Sequence, residues 1–275
     1  MSKKRHTPDD EPFFVVRSAS GQFAHGAALP AHSHPWGQLI FAGAGVMTVW
    51  TAQGTWVAPP HWAVWAPPGV AHAMRFTGES ALRTLYLRPD VFDALPARCA
   101  VIAVAPLLRE LILRAVEIGM LDRREPVHAA MAVLIADAVR AEPTPSLDLP
   151  KPRSAVLRRV ADHLAAAPAN RARHSALARR FGVGVRTLER GFLAETGLSL
   201  GHWRRQVRML HALRQLGAGL PVKVVASGAG YRSASAFVAA FRGALETTPG
   251  RYFATVDAAG VQNAEGIRSA RARRG

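Results

Sequence analysis

The stretch "HSHPWGQ", residues 32 to 38, carries side chains that are well suited to bind a metal or a small ligand. If this stretch is a strand, alternation points His32 and His34 toward the same face. Neutral imidazoles are good ligands for Zn, Ni, Fe or Cu. A third histidine, His72, ends the stretch "PPGVAH" further along the chain. The three histidines predict a divalent metal site, or a polar pocket in which they only make hydrogen bonds.

Short strands are predicted around these histidines, from Phe13 to about Arg88. The segments "QLIFAG", "GVMTVWT" and "TWVAPP" are interrupted by Gly and Pro at close intervals. This spacing is typical of an all-β barrel or sandwich. Aromatic residues in the region are expected to line a pocket or, for most of them, to pack in the core: Trp36, Phe41, Trp50, Trp56, Trp62, Trp65 and Phe76.

Two helices are predicted after these strands, over residues 106–119 and 126–140, and each begins at a proline. Apolar residues predicted to share one face of the first helix are Leu107, Leu108, Leu111, Ile112 and Ala115. We expect the two helices to form the contact of a homodimer. Alternatively, they pack only on their own barrel.

Basic residues are concentrated in the second half of the chain. Residues 1–140 contain 13 Lys and Arg against 11 Asp and Glu, whereas residues 141–275 contain 22 against 8. A genome-wide bias toward Arg and Ala would not by itself separate the halves so sharply. The asymmetry predicts two domains with different partners, of which the second binds nucleic acid.

Composition also excludes some classes of protein. The single cysteine, Cys99, rules out an intramolecular disulfide framework and fits a reducing compartment. The basic start is followed by polar residues, unlike a signal peptide. No apolar run reaches the roughly 18 residues of a membrane span. We therefore expect a cytoplasmic protein with no membrane association.

Two segments of the basic half share one layout, namely 175–197 and 222–245. Each has a short helix, a tight turn containing glycine, and a second helix with an apolar pair four residues apart. The pairs are Leu188 with Phe192 and Phe237 with Phe241. Such pairs pack the second helix on the first and leave a polar face outward, which predicts two helix-turn-helix units.

Over about 100 residues the chain resembles the AraC/XylS family of transcription regulators. The resemblance is carried by "RTLERGF", "ETGLS" followed by "WRRQVRM", "VASGAGYRSASAFVAAFR" and "TTPGRY", in this order. It implies that two recognition helices enter successive major grooves of promoter DNA, about 34 Å apart. It also implies RNA polymerase as a partner. The alternative is an unrelated all-α bundle.

Matched onto this family, the first recognition helix presents Arg186, Thr187, Glu189 and Arg190 outward. Arg186 and Arg190 lie one helical turn apart and could reach one groove together. Arginine commonly contacts guanine, and Glu189 could accept from cytosine or orient an arginine. Arg190 could instead hold a phosphate without choosing a base.

The second recognition helix presents short side chains: Arg232, Ser233, Ala234, Ser235, Val238 and Ala239. We predict that Arg232, Ser233 and Ser235 hold the DNA backbone, while Ala234 and Val238 touch thymine methyl groups. The choice of DNA sequence should therefore depend mainly on the first helix-turn-helix unit.

Three positions depart from the family pattern. Gly184 stands where a serine N-cap is usual, and glycine tolerates that position at modest loss. Gly191 lies inside the recognition helix at a cost of about 1 kcal/mol relative to alanine. Glu246 replaces the glycine usual before "TTP". Together they predict a DNA-binding domain that is only marginally stable alone.

The histidine-bearing half resembles a cupin barrel, with an H-x-H motif followed by P-x-G-x-x-H. The resemblance implies that His32, His34 and His72 could hold a divalent metal such as Zn, Ni or Fe. Gln38 stands where cupins usually carry glutamate and is a poorer ligand. Regulators of the AraC type often use such a barrel as a sensor, many of them without metal.

These observations predict an α+β two-domain protein, with an N-terminal cupin-like β-barrel followed by helices and a C-terminal all-α domain with two helix-turn-helix units. The predicted segments are a disordered start (1–12), an effector and dimerisation domain (13–140), a linker (141–153), a DNA-binding domain (154–253) and a flexible basic tail (254–275).

We expect a sequence-specific transcription regulator, not an enzyme, that responds to a small-molecule effector. One alternative is a constitutive regulator that uses the barrel only for dimerisation. Another is a cupin metalloenzyme with a basic appendage, although no paired carboxylates, Ser-His-Asp set or phosphate loop is convincing. The effector, the operator, and activation versus repression stay open.

Overall fold

The computed structural model describes residues 12–92, 95–140 and 148–253, and the chain divides into two compact units. The first consists of Met1–Thr51 and Ala58–Pro145, and the second of Ala52–Val57 and Ser146–Gly275. Residues 1–11, 141–147 and 254–275 lie outside the described residues, and with them most of the predicted disordered start, half of the predicted linker and the predicted basic tail. The domain boundaries stay predictions.

Strands dominate the first unit. They are β1 (Phe14–Phe23), β2 (Ala28–His32), β3 (Gly37–Ala42), β4 (Val46–Thr51), β6 (Trp62–Ala66), β7 (His72–Thr77), β8 (Ser80–Leu87), β9 (Ala100–Ala103) and β10 (Met120–Asp122). One antiparallel sheet has the order β10-β1-β8-β3-β6-β9, and β7 pairs with β4 on one side and β2 on the other. The predicted barrel-like, all-β architecture is confirmed.

The two faces of the larger sheet have different roles. Leu39 and Phe41 on β3 belong to a buried apolar cluster shared with α1 (Pro106–Ile118) and α2 (Pro126–Arg140). Alternation points Gln38 and Ile40 the opposite way, toward the sheet that contains β7. This face lies inside the barrel, and it therefore positions the polar residues of the candidate site.

Both helices predicted in the first half are present, and α1 ends before Gly119, whose φ of 91° suits glycine. Leu108, Ile112 and Ala115 are buried as predicted. The prediction that Leu107 shares that face is wrong. Leu107 is 63% exposed. Successive helical residues are about 100° apart, so the first apolar residue falls outside the narrow buried stripe.

The second unit begins with the antiparallel pair β5 (Gly54–Ala58) and β11 (Asp148–Pro150). The predicted linker thus contains a short strand. The helices that follow are α3 (Ala155–Ala166), α4 (His174–Phe181), α5 (Val185–Thr196), α6 (Leu200–Gly217), α7 (Val222–Gly228) and α8 (Ala234–Leu245). None of the helices in the described ranges is both long and apolar enough to cross a membrane.

Packing against α3 explains why position 191 of α5 is a glycine. A Cβ atom there would lie 2.6 Å from Cδ1 of Leu157, a residue of α3 that is 4% exposed. Helix α5 therefore approaches α3 closely at Gly191. The low helix propensity of glycine is offset by a contact that alanine would permit only if Leu157 moved.

The end of α8 offers a test of local strain. Glu246 caps this helix with a φ of 57°, in the left-handed region that favours glycine. We expect Glu246→Gly to raise the free energy of unfolding by about 1 kcal/mol, as measured by urea denaturation of the full chain. Glu246→Ala, which keeps the Cβ atom, should not stabilise. Equal stabilisation by both variants would show that the carboxylate, and not the backbone, is responsible.

Candidate functional site

The first helix-turn-helix unit is built from α4, a turn at residues 182–184, and α5. Gly182 adopts a left-handed conformation with a φ of 68°, which ends α4, and Gly184 occupies the N-cap of α5 in an extended conformation. Leu188 and Phe192 are fully buried. This apolar pair fixes which face of α5 is turned outward.

All four positions predicted on the outward face of α5 are exposed, namely Arg186, Thr187, Glu189 and Arg190. Glu189 has a partner within the protein, because Nδ1 of His174 on α4 lies 2.7 Å from its Oε1. This contact ties the carboxylate to the neighbouring helix. Arg186 and Arg190 therefore form the main charged surface of this helix that could meet a base or a phosphate.

The second unit is built from α7, a turn at residues 229–232, and α8. Ser233 is the N-cap of α8, and its hydroxyl oxygen accepts a hydrogen bond of 3.1 Å from the Ala236 amide. Arg232 is exposed in the preceding turn, not on the helix itself. Ser235 is exposed, whereas Ala234 and Val238 are half-buried. This surface is thus short and poor in hydrogen-bond donors, and its lesser role in base choice stays a prediction.

Arginines of α6 hold the loop between α3 and α4. Arg204 donates hydrogen bonds of 2.6 Å to the Asn170 carbonyl and 2.8 Å to the Ala172 carbonyl. Arg208 donates to Pro168 and Asn170 carbonyls at 3.3 and 3.2 Å. Burial, followed by the nearby charge of Arg208, lowers the pKa of Arg204, but an arginine stays charged in proteins.

The same loop reaches the second helix-turn-helix unit. Nη2 of Arg171 donates to the Gly230 carbonyl at 3.0 Å, and a Cβ on Gly230 would lie 2.8 Å from Cα of Ala169. The two helix-turn-helix units are therefore connected through α6 and this loop by Arg171, Arg204 and Arg208. The sequence analysis counts these arginines only as part of the basic charge. Their spacing does not distinguish arginines that bind carbonyl groups from arginines that bind DNA.

A carboxylate secures the start of the helical domain. Oε2 of Glu195, near the end of α5, accepts hydrogen bonds from the amides of Ser154 (2.8 Å) and Arg153 (2.6 Å). The bond from the Ser154 amide is the main reason why the pKa of Glu195 lies below its usual value. The contact fixes the first turn of α3 against the first recognition helix.

The three predicted histidines meet in the N-terminal, strand-rich unit of the chain. His32 ends β2, His34 lies in the following loop and His72 begins β7, and their ligating nitrogens all lie within 4.8 Å of one another. The predicted reason for this proximity is wrong, because His34 is not in a strand and alternation does not align it with His32. The loop after β2 and the pairing of His32 with His72 bring the rings together.

Backbone carbonyl groups orient two of these rings. Nδ1 of His32 lies 2.7 Å from the Pro30 oxygen, and Nδ1 of His72 lies 2.9 Å from the Val70 oxygen. A carbonyl oxygen only accepts, so each Nδ1 carries a hydrogen and donates it, which turns Nε2 of the ring away from the carbonyl group. Histidines that bind metals typically show this arrangement. Burial is the main reason why the pKa of His72 is lowered, and this favours the neutral ring.

Gln38 completes the cluster from β3. Its Oε1 lies 2.8 Å from Nε2 of His72, and its Nε2 donates to the hydroxyl groups of Thr84 (2.9 Å) and Tyr86 (3.2 Å). Thr84 donates its own hydrogen to the Leu39 carbonyl, so its oxygen must accept from Gln38. This network orients the amide oxygen of Gln38 toward His72. The donor set fits a divalent metal.

Most of the aromatic residues lie in the core and do not form an open pocket wall. Phe41, Trp65 and Phe76 are at most 2% exposed, and Trp36 and Trp56 are also buried. Trp50 and Trp62 are half-buried. The face of Trp36 carries the guanidinium group of Arg17, 4.6 Å from the ring centroid. Among the seven aromatics, Trp36 is therefore tied to a charged group on the inner face.

Comparison with known proteins supports both halves. Residues 177–255 match the family described as a helix-turn-helix domain, and residues 19–145 match the AraC-like ligand binding domain. The chain is 34% identical over 236 residues to the HTH-type transcriptional regulator NimR of Escherichia coli (strain K12), and the match covers 86% of each protein.

Two further likenesses are more local. The chain is 36% identical over 129 residues to the HTH-type transcriptional regulator RipA of Corynebacterium glutamicum, a match that covers 47% of this chain and 37% of RipA. Among solved structures, it is similar to the DNA-binding domain of AdpA in complex with a target DNA, with 30% identity and a TM-score of 0.36. That match covers 38% of this chain and 96% of the AdpA chain.

Proposed function

Since this chain belongs to the AraC family of transcription regulators, we propose that it controls transcription in response to a small-molecule effector bound at the histidine cluster. It is a DNA-binding regulator with an N-terminal ligand-binding domain, and its relatives are regulators and not enzymes. The observation that carries the effector response is the convergence of His32, His34, His72 and Gln38 inside the sensor barrel.

We propose that His32, His34 and His72 hold a divalent metal, with Zn, Ni and Fe as the candidates. The support is the short distance between their nitrogens and the two carbonyl groups that orient the rings of His32 and His72 through Nδ1. A bound ion would supply a Lewis-acid position for an effector atom. The protein would contribute oriented rings and a partly buried setting, since His32 and His34 remain half-exposed.

In DNA binding, the first recognition helix would choose the sequence through Arg186 and Arg190, helped by Thr187, while Glu189 holds the helix against His174. The second helix would add backbone contacts from Arg232 and Ser235 and apolar contacts from Ala234 and Val238. Ser233 serves mainly as the helix cap. This division follows from the hydrogen-bonding capacity of the exposed side chains.

We also propose a homodimer and a contact with RNA polymerase. The dimer contact is supported by apolar side chains that α1 and α2 expose: Leu107, Val127, Val133 and Leu134. Exposed apolar groups on neighbouring helices favour an interaction surface. The same feature supports a second candidate function, in which the barrel serves only for dimerisation and the regulator is constitutive. An effector would act only through different affinities for alternative states of the protein.

The effector response is tested with the full chain and duplexes that it selects from a random library. We expect about one divalent metal per chain, and removal of this metal by a chelator should change the dissociation constant for DNA at least about fivefold. A His32→Ala/His72→Ala variant should bind DNA like the chelated protein and ignore the chelator. His25→Ala, at an exposed histidine outside the cluster, is the control. Identical DNA affinity under all conditions would support the constitutive alternative.

A further inference from the structure

We propose that the effector is a small carboxylate, bound where Gln38 completes the metal ligand set and where Arg17 supplies a counter-charge. This inference rests on the proposed function and names the chemical class of its effector. It depends on three features of the inner barrel face: the contact between Gln38 and His72, the charge of the ligand set, and a row of side chains across three strands.

The contact between Gln38 and His72 brings the amide oxygen of Gln38 to the histidine cluster. Nδ1 of His72 lies 2.9 Å from the Val70 oxygen, and Nε2 of the same ring lies 2.8 Å from Oε1 of Gln38. An amide oxygen beside three imidazoles can act as a further ligand of a divalent ion. Gln38 is therefore placed as a fourth ligand.

The resulting ligand set carries no negative charge. Three imidazoles and one amide are all neutral as ligands. Within the described ranges, no aspartate or glutamate belongs to this cluster of potential metal ligands. The full charge of a divalent ion would remain at the site, in a partly buried setting where water screens it poorly. An anion is the ligand that such a site favours.

A cationic side chain lies on the same face. Arg17 pairs with Tyr86 across β1 and β8, and Tyr86 pairs with Gln38 across β8 and β3. Directly opposed residues share a face, and strands are about 4.8 Å apart, so the backbones of Arg17 and Gln38 are separated by about 10 Å. The Tyr86 ring contacts the His34 ring at 4.8 Å. Arg17 is thus within reach of a ligand beside the histidines.

The guanidinium of Arg17 is also oriented. It lies over the Trp36 ring, 4.6 Å from the centroid, which restricts the plane in which its N–H groups point. A planar guanidinium matches the two oxygens of one carboxylate. A phosphate offers more oxygens than this single arginine and Tyr86 can satisfy. The row therefore favours a carboxylate over a phosphate.

The packing of the barrel limits the size of the ligand. Residues that alternation places on the inner face beyond the cluster are at most 2% exposed: Ile40, Val49, Met74 and Phe76. The half-exposed His32 and His34 mark the accessible side of the cluster. A carboxylate would therefore bind at this side without entering the apolar interior, which is why a small acid is expected.

The test uses the full chain loaded with Co²⁺, whose visible spectrum reports changes in its ligands. Benzoate should shift the cobalt band in a saturable manner, whereas the neutral isostere benzamide should not. Arg17→Gln should weaken benzoate binding about tenfold or more without weakening cobalt binding. Arg75→Gln, at an exposed arginine three residues after His72 on the same strand, should behave as the unaltered protein.

Substitution of Gln38 tests how the charge of the ligand set affects metal binding on the one hand and carboxylate binding on the other. Gln38→Glu should tighten cobalt binding and weaken benzoate binding, each about tenfold, because the added carboxylate neutralises part of the charge of the ion. Gln38→Leu should weaken cobalt binding. These opposite changes distinguish an electrostatic role from a general loss of structure.

Several results would overturn the inference. If benzamide or inorganic phosphate shifts the band as benzoate does, or if Gln38→Glu leaves benzoate binding unchanged, the effector class is wrong. The proposed function would still stand if metal removal alters DNA affinity. If cobalt does not bind at all, the metal centre and the inference are both wrong, whereas DNA recognition by α5 and α8 is unaffected.

Discussion

Replacement of Arg204 by methionine is expected to lower the free energy of unfolding of the helical unit by about 2–3 kcal/mol and to weaken specific DNA binding. Methionine keeps an unbranched apolar stem but removes the donors to the Asn170 and Ala172 carbonyls. Hydrogen bonds from charged groups contribute about 1.5–3 kcal/mol each, and partial exposure of the side chain reduces their sum. The loss should be measured by urea denaturation.

The effect on DNA has a separate physical reason. The loop that Arg204 holds also contacts the second helix-turn-helix unit through Arg171 and Gly230. If the loop shifts, the two recognition helices lose their fixed spacing and a two-part site should be bound more weakly than before. A duplex that contains only the half-site of the first unit should be affected less. Both affinities can be measured by mobility shift at a temperature where the variant remains folded.

Arg205 provides a matched control for this prediction. It follows Arg204 in the sequence and carries the same charge, but its side chain is exposed. Arg205→Met should change the stability by no more than about 0.5 kcal/mol. If both variants are equally destabilised, helix propensity or net charge explains the loss, and the carbonyl contacts of Arg204 do not.

Replacement of Arg186 by alanine should relax base preference at one or two adjacent positions of the operator and cost about 1–3 kcal/mol in specific binding. Arg186 lies in the first turn of α5 and is exposed, so its loss should leave the fold intact. The measurement is selection of binding sites from a random library by each protein, followed by titration of the preferred duplex.

Arg190 distinguishes base contact from phosphate contact on the same helix. If Arg190 holds a phosphate, Arg190→Ala should weaken all duplexes to a similar extent and reduce the slope of log affinity against log salt by about 1. Arg186→Ala should instead act unequally on different sequences. An unaltered sequence preference in the Arg186 variant would remove this residue from base recognition.

Much of the fold follows from local patterns. Pro106 and Pro126 begin α1 and α2 as predicted, and the buried pair Leu188 and Phe192 orients the first recognition helix. Such features depend on the period of apolar residues and on caps, both of which are visible in a short stretch of sequence. The cluster of three histidines is expected from the resemblance of two local motifs to a cupin barrel, although the strand alternation predicted for His32 and His34 does not occur.

Other features required the assembled chain. The sequence does not indicate that Leu107 lies outside the buried stripe of α1, or that Gly191 has Leu157 against it. Both facts depend on what the neighbouring elements place there. The pairing of β5 with β11 joins residues about a hundred positions apart, in a segment whose prolines predict a linker. Contacts of this kind leave no local period or motif.

The sequence alone predicted a histidine-bearing barrel and two helix-turn-helix units, because Gly and Pro spacing, helical period and the motifs that carry the family resemblance are local properties of the chain. Only the tertiary structure decided how individual polar groups are used. It assigned Arg204 and Arg208 to carbonyl groups, Glu189 to His174, and Gln38 to His72. The physical reason is that a side chain of given charge satisfies whichever partner the fold brings within hydrogen-bonding distance, and residue type does not specify that partner.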